Sequence, residues 1–237
     1  CLMALAPLSE SLATLERALR AKAREFAGTV KSGRTHLQDA VPVRLGREFG
    51  AYAVAVAKAR ARIAQTIPAL SELKLGGTAV GTGLNAHPRY RALAITRLRQ
   101  WTGLPLRPAK DLMERMQSLA DFGHLSGSLR NYSLELIRIA NDLRLMSSGP
   151  NTGFGEIELP AIQPGSSIMP GKVNPVMPEM VTMVAFQVLG HDATVAMAVQ
   201  AGQLELNVMM PVVAYNVLQA MALLTTSTRA LARRCVE

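Results

Sequence analysis

The chain has 237 residues, of which 49% are hydrophobic, 18% charged and 4% aromatic. This composition excludes intrinsic disorder and disfavours an all-β sandwich or barrel, which would contain more aromatic and β-branched residues. The net charge of +9 comes from basic residues that are scattered without interleaved aromatics, so it does not indicate a nucleic-acid partner. The two cysteines, Cys1 and Cys235, show no metal-type spacing and no disulfide framework, which favours a reduced, cytoplasmic compartment.

The apolar spacing predicts long helices separated by unusual loops. Leucines at positions 8, 12, 15 and 19 recur at steps of three and four, which is the spacing of one helix face. Helices are predicted at 5–30, at 47–75 with a bend at Pro68, and at 88–103, 111–146, 178–200 and 206–234. A polar loop is predicted at 34–44. The glycine-rich segment 76–85 and the glycine- and proline-rich segment 147–175 are also predicted as loops, because neither can form a stable helix.

The last two predicted helices are apolar around most of their circumference. Polar residues interrupt this region too often for a membrane span, so no membrane partner is expected. A helix that is hydrophobic on all sides must be buried on all sides. Since a helix of about 30 residues is about 45 Å long, a few such helices in one chain cannot cover each other completely. We therefore expect an all-α protein whose long helices form a bundle shared between subunits.

The segment 165–175 (GSSIMPGKVNP) combines several groups that suit an anion site. Ser166 and Ser167 place two hydroxyls side by side, Lys172 provides a cation and Asn174 an amide. The helix predicted to follow has an N-terminus whose free N–H groups and dipole favour anions. A phosphate-binding P-loop is excluded, because five residues rather than four separate the glycines and valine follows the lysine. The pattern predicts an anion site with a mobile lid.

The same segment resembles the signature of the fumarase/aspartase superfamily, in the form found in class II fumarases and aspartate ammonia-lyases. Three further segments are similar to that family, so that the resemblance covers nearly the whole chain: 33–40 (GRTHLQDA), 76–85 (GGTAVGTGLN) and 201–208 (AGQLELNV). The resemblance implies that residues 1–237 form the family's central helical domain, assembled as a homotetramer with shared active sites. We expect a fragment whose first helix is truncated and whose N-terminal and small C-terminal domains lie outside it.

The resemblance also implies a reaction, β-elimination from a small C4 dicarboxylate to give fumarate without a cofactor or metal. By similarity, Ser166 is the general base that removes the Cβ proton. The resulting aci-carboxylate bears extra negative charge, which preorganised donors must stabilise. Lys172 and Asn174 would hold the carboxylate that accumulates this charge, and Thr35 and Ser167 would add hydrogen bonds.

His36 is the second catalytic candidate by resemblance, and Glu179 matches the carboxylate partner that the family gives to this histidine. Such a pair fixes the tautomer and the orientation of the ring. In fumarases this histidine acts through an active-site water, whereas in ammonia-lyases the same position binds the β-carboxylate.

The choice between ammonia and water as the leaving group depends on resemblance alone. The segments 148–157 (SGPNTGFGEI) and 201–209 (AGQLELNVM) look more like those of aspartases. His36 and the pair His87-Pro88 occur on the fumarase side. We therefore favour elimination of ammonia from L-aspartate or a related C4 amino dicarboxylate. The alternatives are a class II fumarase and a catalytically silent helical oligomerisation fragment.

Overall fold

The computed structural model describes residues 1–237 and consists mainly of helices. They are α1 (Leu2–Glu25), α2 (Leu45–Ala64), α3 (Ile67–Leu70), α4 (Tyr90–Thr102), α5 (Leu112–Gln117), α6 (Ala120–Met146), α7 (Val176–Gln200) and α8 (Met210–Leu231), with a 3-10 turn at Phe26–Gly28 and a π-helical turn at Ala232–Val236. Strands β1 (Val30–Thr35) and β2 (Gln38–Arg44) form an antiparallel hairpin, and β3 (Glu72–Leu73) pairs in parallel with β4 (Arg107–Pro108). The predicted long-helix, all-α class is confirmed.

Several predicted elements differ from the structure. The loop predicted at 34–44 is most of a β-hairpin, and the first helix ends at Glu25 rather than at residue 30. The helix predicted at 47–75 ends at Ala64, and Pro68 lies in the first turn of the separate short helix α3. The helix predicted at 111–146 is two helices, because the chain is extended at Ser118. Its first residue, Asp111, caps α5 by accepting hydrogen bonds from the backbone N–H groups of residues 113 and 114.

One compact unit comprises residues 9–60, 132–186 and 223–237. Its interior contains fully buried leucines of α1, aromatic and aliphatic residues of α2 and aliphatic residues of α6: Leu12, Leu15, Leu19, Phe49, Val56, Leu136, Ile139 and Leu143. Tyr52 of α2 donates a hydrogen bond to Asp142 of α6 at 3.0 Å. The hydroxyls of Tyr132 in α6 and Thr228 in α8 are 2.8 Å apart, and both residues are completely buried. Burial therefore raises the pKa of Tyr132.

The other compact unit comprises residues 1–8, 61–131 and 187–222. The segment 76–85 is irregular, as predicted, with positive φ angles at three of its glycines. Asp192 of α7 accepts a hydrogen bond from Ser126 of α6 at 2.6 Å and forms an ion pair with Arg130. Asn207 is completely buried, and its side chain bonds the backbone on both sides of the turn between α7 and α8. This asparagine therefore has a structural role within the segment that resembles the family.

The two apolar helices leave much of their surface uncovered in a single chain. By length and composition alone, α7 could cross a membrane, a test that the core helix of a soluble protein also passes. Only 28% of the most apolar 18-residue stretch of α7 is buried within the chain. Phe186 is 59% exposed, Met183 and Met197 are more so, and Tyr215 of α8 is 62% exposed. Burial of these surfaces in an oligomer therefore stays a prediction, one that the exposed residues support.

Candidate functional site

The seven site residues predicted from the sequence all lie in the unit formed by residues 9–60, 132–186 and 223–237. They occupy two features of that unit. Thr35 and His36 are at the tip of the β1–β2 hairpin, whereas the others follow one another from the segment after α6 into the first turn of α7: Ser166, Ser167, Lys172, Asn174 and Glu179.

The tip of the hairpin has an unusual backbone conformation. His36 and Leu37 are the two turn residues, with φ angles of 54° and 60°. Two consecutive positive φ angles match the right-handed twist of a hairpin, but Asn-Gly or Asp-Gly normally provides them. For a leucine in particular this conformation costs about 1 kcal/mol or more, and such strain is concentrated at functional sites. Thr35 and His36 are both exposed, so that their side chains are open to a ligand.

A cluster of four charged side chains ties the hairpin to the segment after α6. Lys31 of β1 contacts Glu48 of α2 at 3.0 Å and Glu156 at 2.6 Å. Arg34, next to Thr35, donates to the other oxygen of Glu156, also at 2.6 Å. Its guanidinium lies 4.2 Å from the ring centroid of Phe154, in a cation–π contact. The hairpin is therefore held by residues more than 110 positions away in the sequence.

The two cations oppose the effect of burial on the pKa of Glu156. Its side chain is only 14% exposed, and burial alone would raise its pKa. Hydrogen bonds and charges from Lys31 and Arg34 act in the opposite direction and lower the pKa overall. Glu156 is consequently ionised at neutral pH, and the two positive and two negative charges of the cluster balance.

The segment from Gly165 to Lys172 closes on itself. A Cβ atom on Gly165 would overlap the carbonyl oxygen of Lys172, so only glycine permits this close approach. Lys172 also donates its backbone N–H to Met169 at 3.2 Å, and Gly171 has a positive φ of 82°. Gly165 is therefore the point where the two ends of the turn meet.

The hydroxyl of Ser166 lies inside this turn and faces two backbone N–H donors. Its Oγ accepts the backbone N–H of Ile168 at 3.2 Å and that of Met169 at 3.3 Å. Ser166 is partly buried, while both donors belong to exposed residues. Two N–H groups aimed at one hydroxyl oxygen favour negative charge on that oxygen.

The remaining predicted residues have different surroundings. Ser167 and Lys172 are exposed, and the Lys172 ammonium has no carboxylate partner within the chain. Asn174 is partly buried just before α7, and its carbonyl accepts the N–H of Val176. Glu179 lies 3.7 Å from Arg144 of α6.

Within one chain the structure does not bring every predicted partner together. No hydrogen bond or ion pair joins His36 to Glu179, whose carboxylate is paired with Arg144. None joins the hairpin tip to the Ser166 turn either. The contacts that hold the hairpin against α2 and against the segment after α6 involve residues that sequence reasoning missed as site residues: Lys31, Arg34, Glu48, Phe154 and Glu156. Arg34 and Glu156 lie inside the quoted family segments, but nothing in the sequence indicates that they meet.

The sequence and the fold are those of a family of lyases. A family model described as Lyase matches residues 1–190, which is most of the chain. The chain therefore belongs to this lyase family, and its resemblance to the fumarase/aspartase superfamily is confirmed.

The chain is similar both to aspartate ammonia-lyases and to a class II fumarate hydratase. The chain is 51% identical over 230 residues to an aspartate ammonia-lyase of Pseudomonas fluorescens, covering 97% of this chain and 48% of that protein. It is 49% identical over 229 residues to the fumarate hydratase class II 2 of Pseudomonas aeruginosa, covering 97% and 50%. A solved structure of a fumarate lyase:delta crystallin from Brucella melitensis bound to cobalt superposes with a TM-score of 0.96 at 48% identity, over 99% of this chain and 51% of that one. The chain thus spans about half the length of the curated relatives it matches.

Proposed function

We propose that the chain forms the central helical domain, over residues 1–237, of an enzyme that eliminates ammonia from L-aspartate or a related C4 amino dicarboxylate to give fumarate. The main support is the Ser166 turn, in which two backbone N–H groups already point at the hydroxyl oxygen that would become the base. The high identity to aspartate ammonia-lyases gives a second, independent support.

Ser166 acts as the general base in this proposal and removes the proton from Cβ. A serine is a base only as an alkoxide, which forms here when the hydroxyl proton passes to solvent before closure, and the N–H groups of Ile168 and Met169 stabilise that negative charge once water is expelled. Proton removal places extra negative charge on the neighbouring carboxylate, as an aci-carboxylate. Lys172 and Asn174 bind this carboxylate, and the unpaired ammonium of Lys172 is suited to that role. Expulsion of ammonia from the adjacent carbon then gives fumarate.

Thr35, His36 and Ser167 bind the substrate in this proposal. Thr35 and Ser167 donate hydrogen bonds to carboxylate oxygens, and His36 binds the β-carboxylate. Since Glu179 faces Arg144 within its own chain, its pairing with His36 is proposed to form between copies in a homotetramer. The exposed apolar surfaces of α7 and α8 support such an assembly. The proposed enzyme is cytoplasmic and uses no metal, cofactor, nucleic acid or membrane.

A class II fumarase is the second candidate, because the relative named fumarate hydratase is nearly as similar as the ammonia-lyases. In that case water replaces ammonia, and His36 acts through an active-site water. A catalytically silent oligomerisation fragment is the third possibility.

Absorbance of fumarate distinguishes these candidates. The full-length protein is mixed separately with L-aspartate and L-malate, and the appearance of fumarate is followed in each. Turnover of L-aspartate alone supports the proposal, whereas turnover of L-malate alone would reassign the protein as a fumarase. Absence of turnover with both substrates, in a protein that remains tetrameric by light scattering, would support the silent role.

A further inference from the structure

Glu156 has no catalytic role in the proposed reaction, yet its carboxylate forms ion pairs with two cations of the hairpin. Its two oxygens contact different cations of β1, Arg34 and Lys31, each at 2.6 Å. The side chains of Lys31, Glu156 and Arg34 are 10%, 14% and 21% exposed. Removing such charges from water is costly, so the arrangement is stable only while every partner is present.

The position of Arg34 links this cluster to the site. Arg34 immediately precedes Thr35 and is held both by Glu156 and by the ring of Phe154. Phe154 and Glu156 belong to the segment that continues to Ser166, so the anchor of the hairpin lies on the same stretch of chain as the proposed base. The tip beyond Arg34 contains two residues with positive φ, and a strained turn persists only where the surroundings hold it.

We propose that Glu156 is a positioning residue, which acts through Arg34 to hold the hairpin tip so that Thr35 and His36 can bind the substrate carboxylate. This role rests on the proposed function, because the substrate contacts of Thr35 and His36 belong to it. Glu156 itself touches no substrate. Its loss leaves Arg34 with only the exposed Asp39, 3.8 Å away, as an ionic partner.

Steady-state kinetics of the full-length protein test this role. Glu156→Gln keeps the size of the side chain and removes its charge. The matched control is Glu158→Gln, which removes the same charge from an exposed residue of the same segment that forms no ion pair. We expect Glu156→Gln to raise KM for L-aspartate by about tenfold with a much smaller change in kcat, because the binding groups are misplaced while the base is intact. The control should leave KM unchanged.

A double variant separates positioning from general damage to the fold. If Glu156 acts through the hairpin tip, Glu156→Gln should raise KM by a clearly smaller factor in a protein that already contains His36→Ala, because only the contribution of Thr35 is then left to lose. Additive effects on KM, or an unchanged KM in the single variant, would overturn the proposal. If Glu156→Gln fails to fold, Phe154→Leu is the substitute. It removes only the cation–π contact of a partly exposed residue, and should also raise KM.

Hydrogen exchange provides a readout that does not depend on activity. In Glu156→Gln the amides of residues 30–44 should exchange faster than in the wild type and in Glu158→Gln, while those of α8 should not change. If the wild type turns over neither L-aspartate nor L-malate, the proposed function fails, but this comparison still tests the anchor. Equal exchange in the hairpins of both variants would refute it.

Discussion

Replacing Ser166 by alanine tests the proposed base most directly. The two N–H bonds to Oγ, at 3.2 and 3.3 Å, indicate how far the turn alone can activate the hydroxyl. A hydrogen bond to a charged acceptor contributes about 1–1.5 kcal/mol more than one to a neutral acceptor, so two bonds favour the alkoxide by about 2–3 kcal/mol. Ionising a water-like hydroxyl at neutral pH costs about 12 kcal/mol. The turn therefore provides about one sixth to one quarter of the requirement, and the Lys172 charge and the exclusion of water must provide the rest.

From these magnitudes we expect Ser166→Ala to lower kcat by about 10²–10⁴-fold, the usual contribution of a general base. Binding of succinate, an unreactive C4 dicarboxylate, should change little, because Lys172 and Asn174 remain. The free energy of unfolding should change by less than about 0.5 kcal/mol, since the released N–H groups belong to exposed residues and can bind water. Fumarate production, inhibitor titration and urea unfolding measure these three quantities in the full-length protein.

The matched control is Ser167→Ala, which removes the adjacent hydroxyl and should mainly raise KM. A near-normal kcat in Ser166→Ala would refute the assignment of the base. A loss of kcat accompanied by an equal loss of succinate binding would show instead that the turn had collapsed.

Three other expectations concern the core, the assembly and the pH dependence. Tyr132→Phe should lower the free energy of unfolding in urea by about 1–3 kcal/mol, because it leaves the buried Thr228 hydroxyl unpaired. Adding Thr228→Val should recover most of that loss. A double variant in which the two losses of free energy add would contradict this reasoning. Phe186→Lys should shift the protein towards smaller species in light scattering, since burial of its exposed ring in an interface is worth about 3 kcal/mol per copy. The control Gln100→Lys, which adds the same charge at an exposed position of α4, should not shift the species. Equal light scattering of the two variants would exclude the α7 surface from the interface. In the folded protein the pKa of Glu156 is below its ordinary value of 4.5. The ionised carboxylate therefore contributes fully to stability at pH values above 4.5, and this contribution is lost as the pH falls through the folded pKa. Acid unfolding should therefore be steeper in the wild type than in Glu156→Gln, and parallel curves would rule out this contribution.

The long helices and the loop at 147–175 could be predicted from the sequence because both are local properties, whereas the catalytic roles given to residues of that loop stay a prediction. The repeat of apolar residues in α1 and the apolar character of α7 and α8 are visible without any tertiary contact. The bend predicted at Pro68 was misplaced and the break at Ser118 was missed, because helix boundaries depend on capping and packing, which the repeat does not report.

The β1–β2 hairpin could not be predicted, for two physical reasons. His36-Leu37 is not a turn sequence, since neither residue favours a positive φ. The strands are also held by Arg34 and Glu156, which lie 122 residues apart. The same distance explains why Glu156 was missed: its importance arises from neighbours that only the fold provides.

The contact between Gly165 and the Lys172 carbonyl has a consequence for motion. Because the two ends of this turn already touch, the entropy of joining them is lost when the chain folds and not when a ligand arrives. Ser166 and its two N–H donors can then move as one rigid body, with the bending confined to residues before Gly165 and after Lys172. An approach of this turn to substrate would leave the geometry around the serine oxygen unchanged. Substitutions in the flanking segments should therefore alter how often the site closes, and substitutions within the turn how fast it reacts once closed.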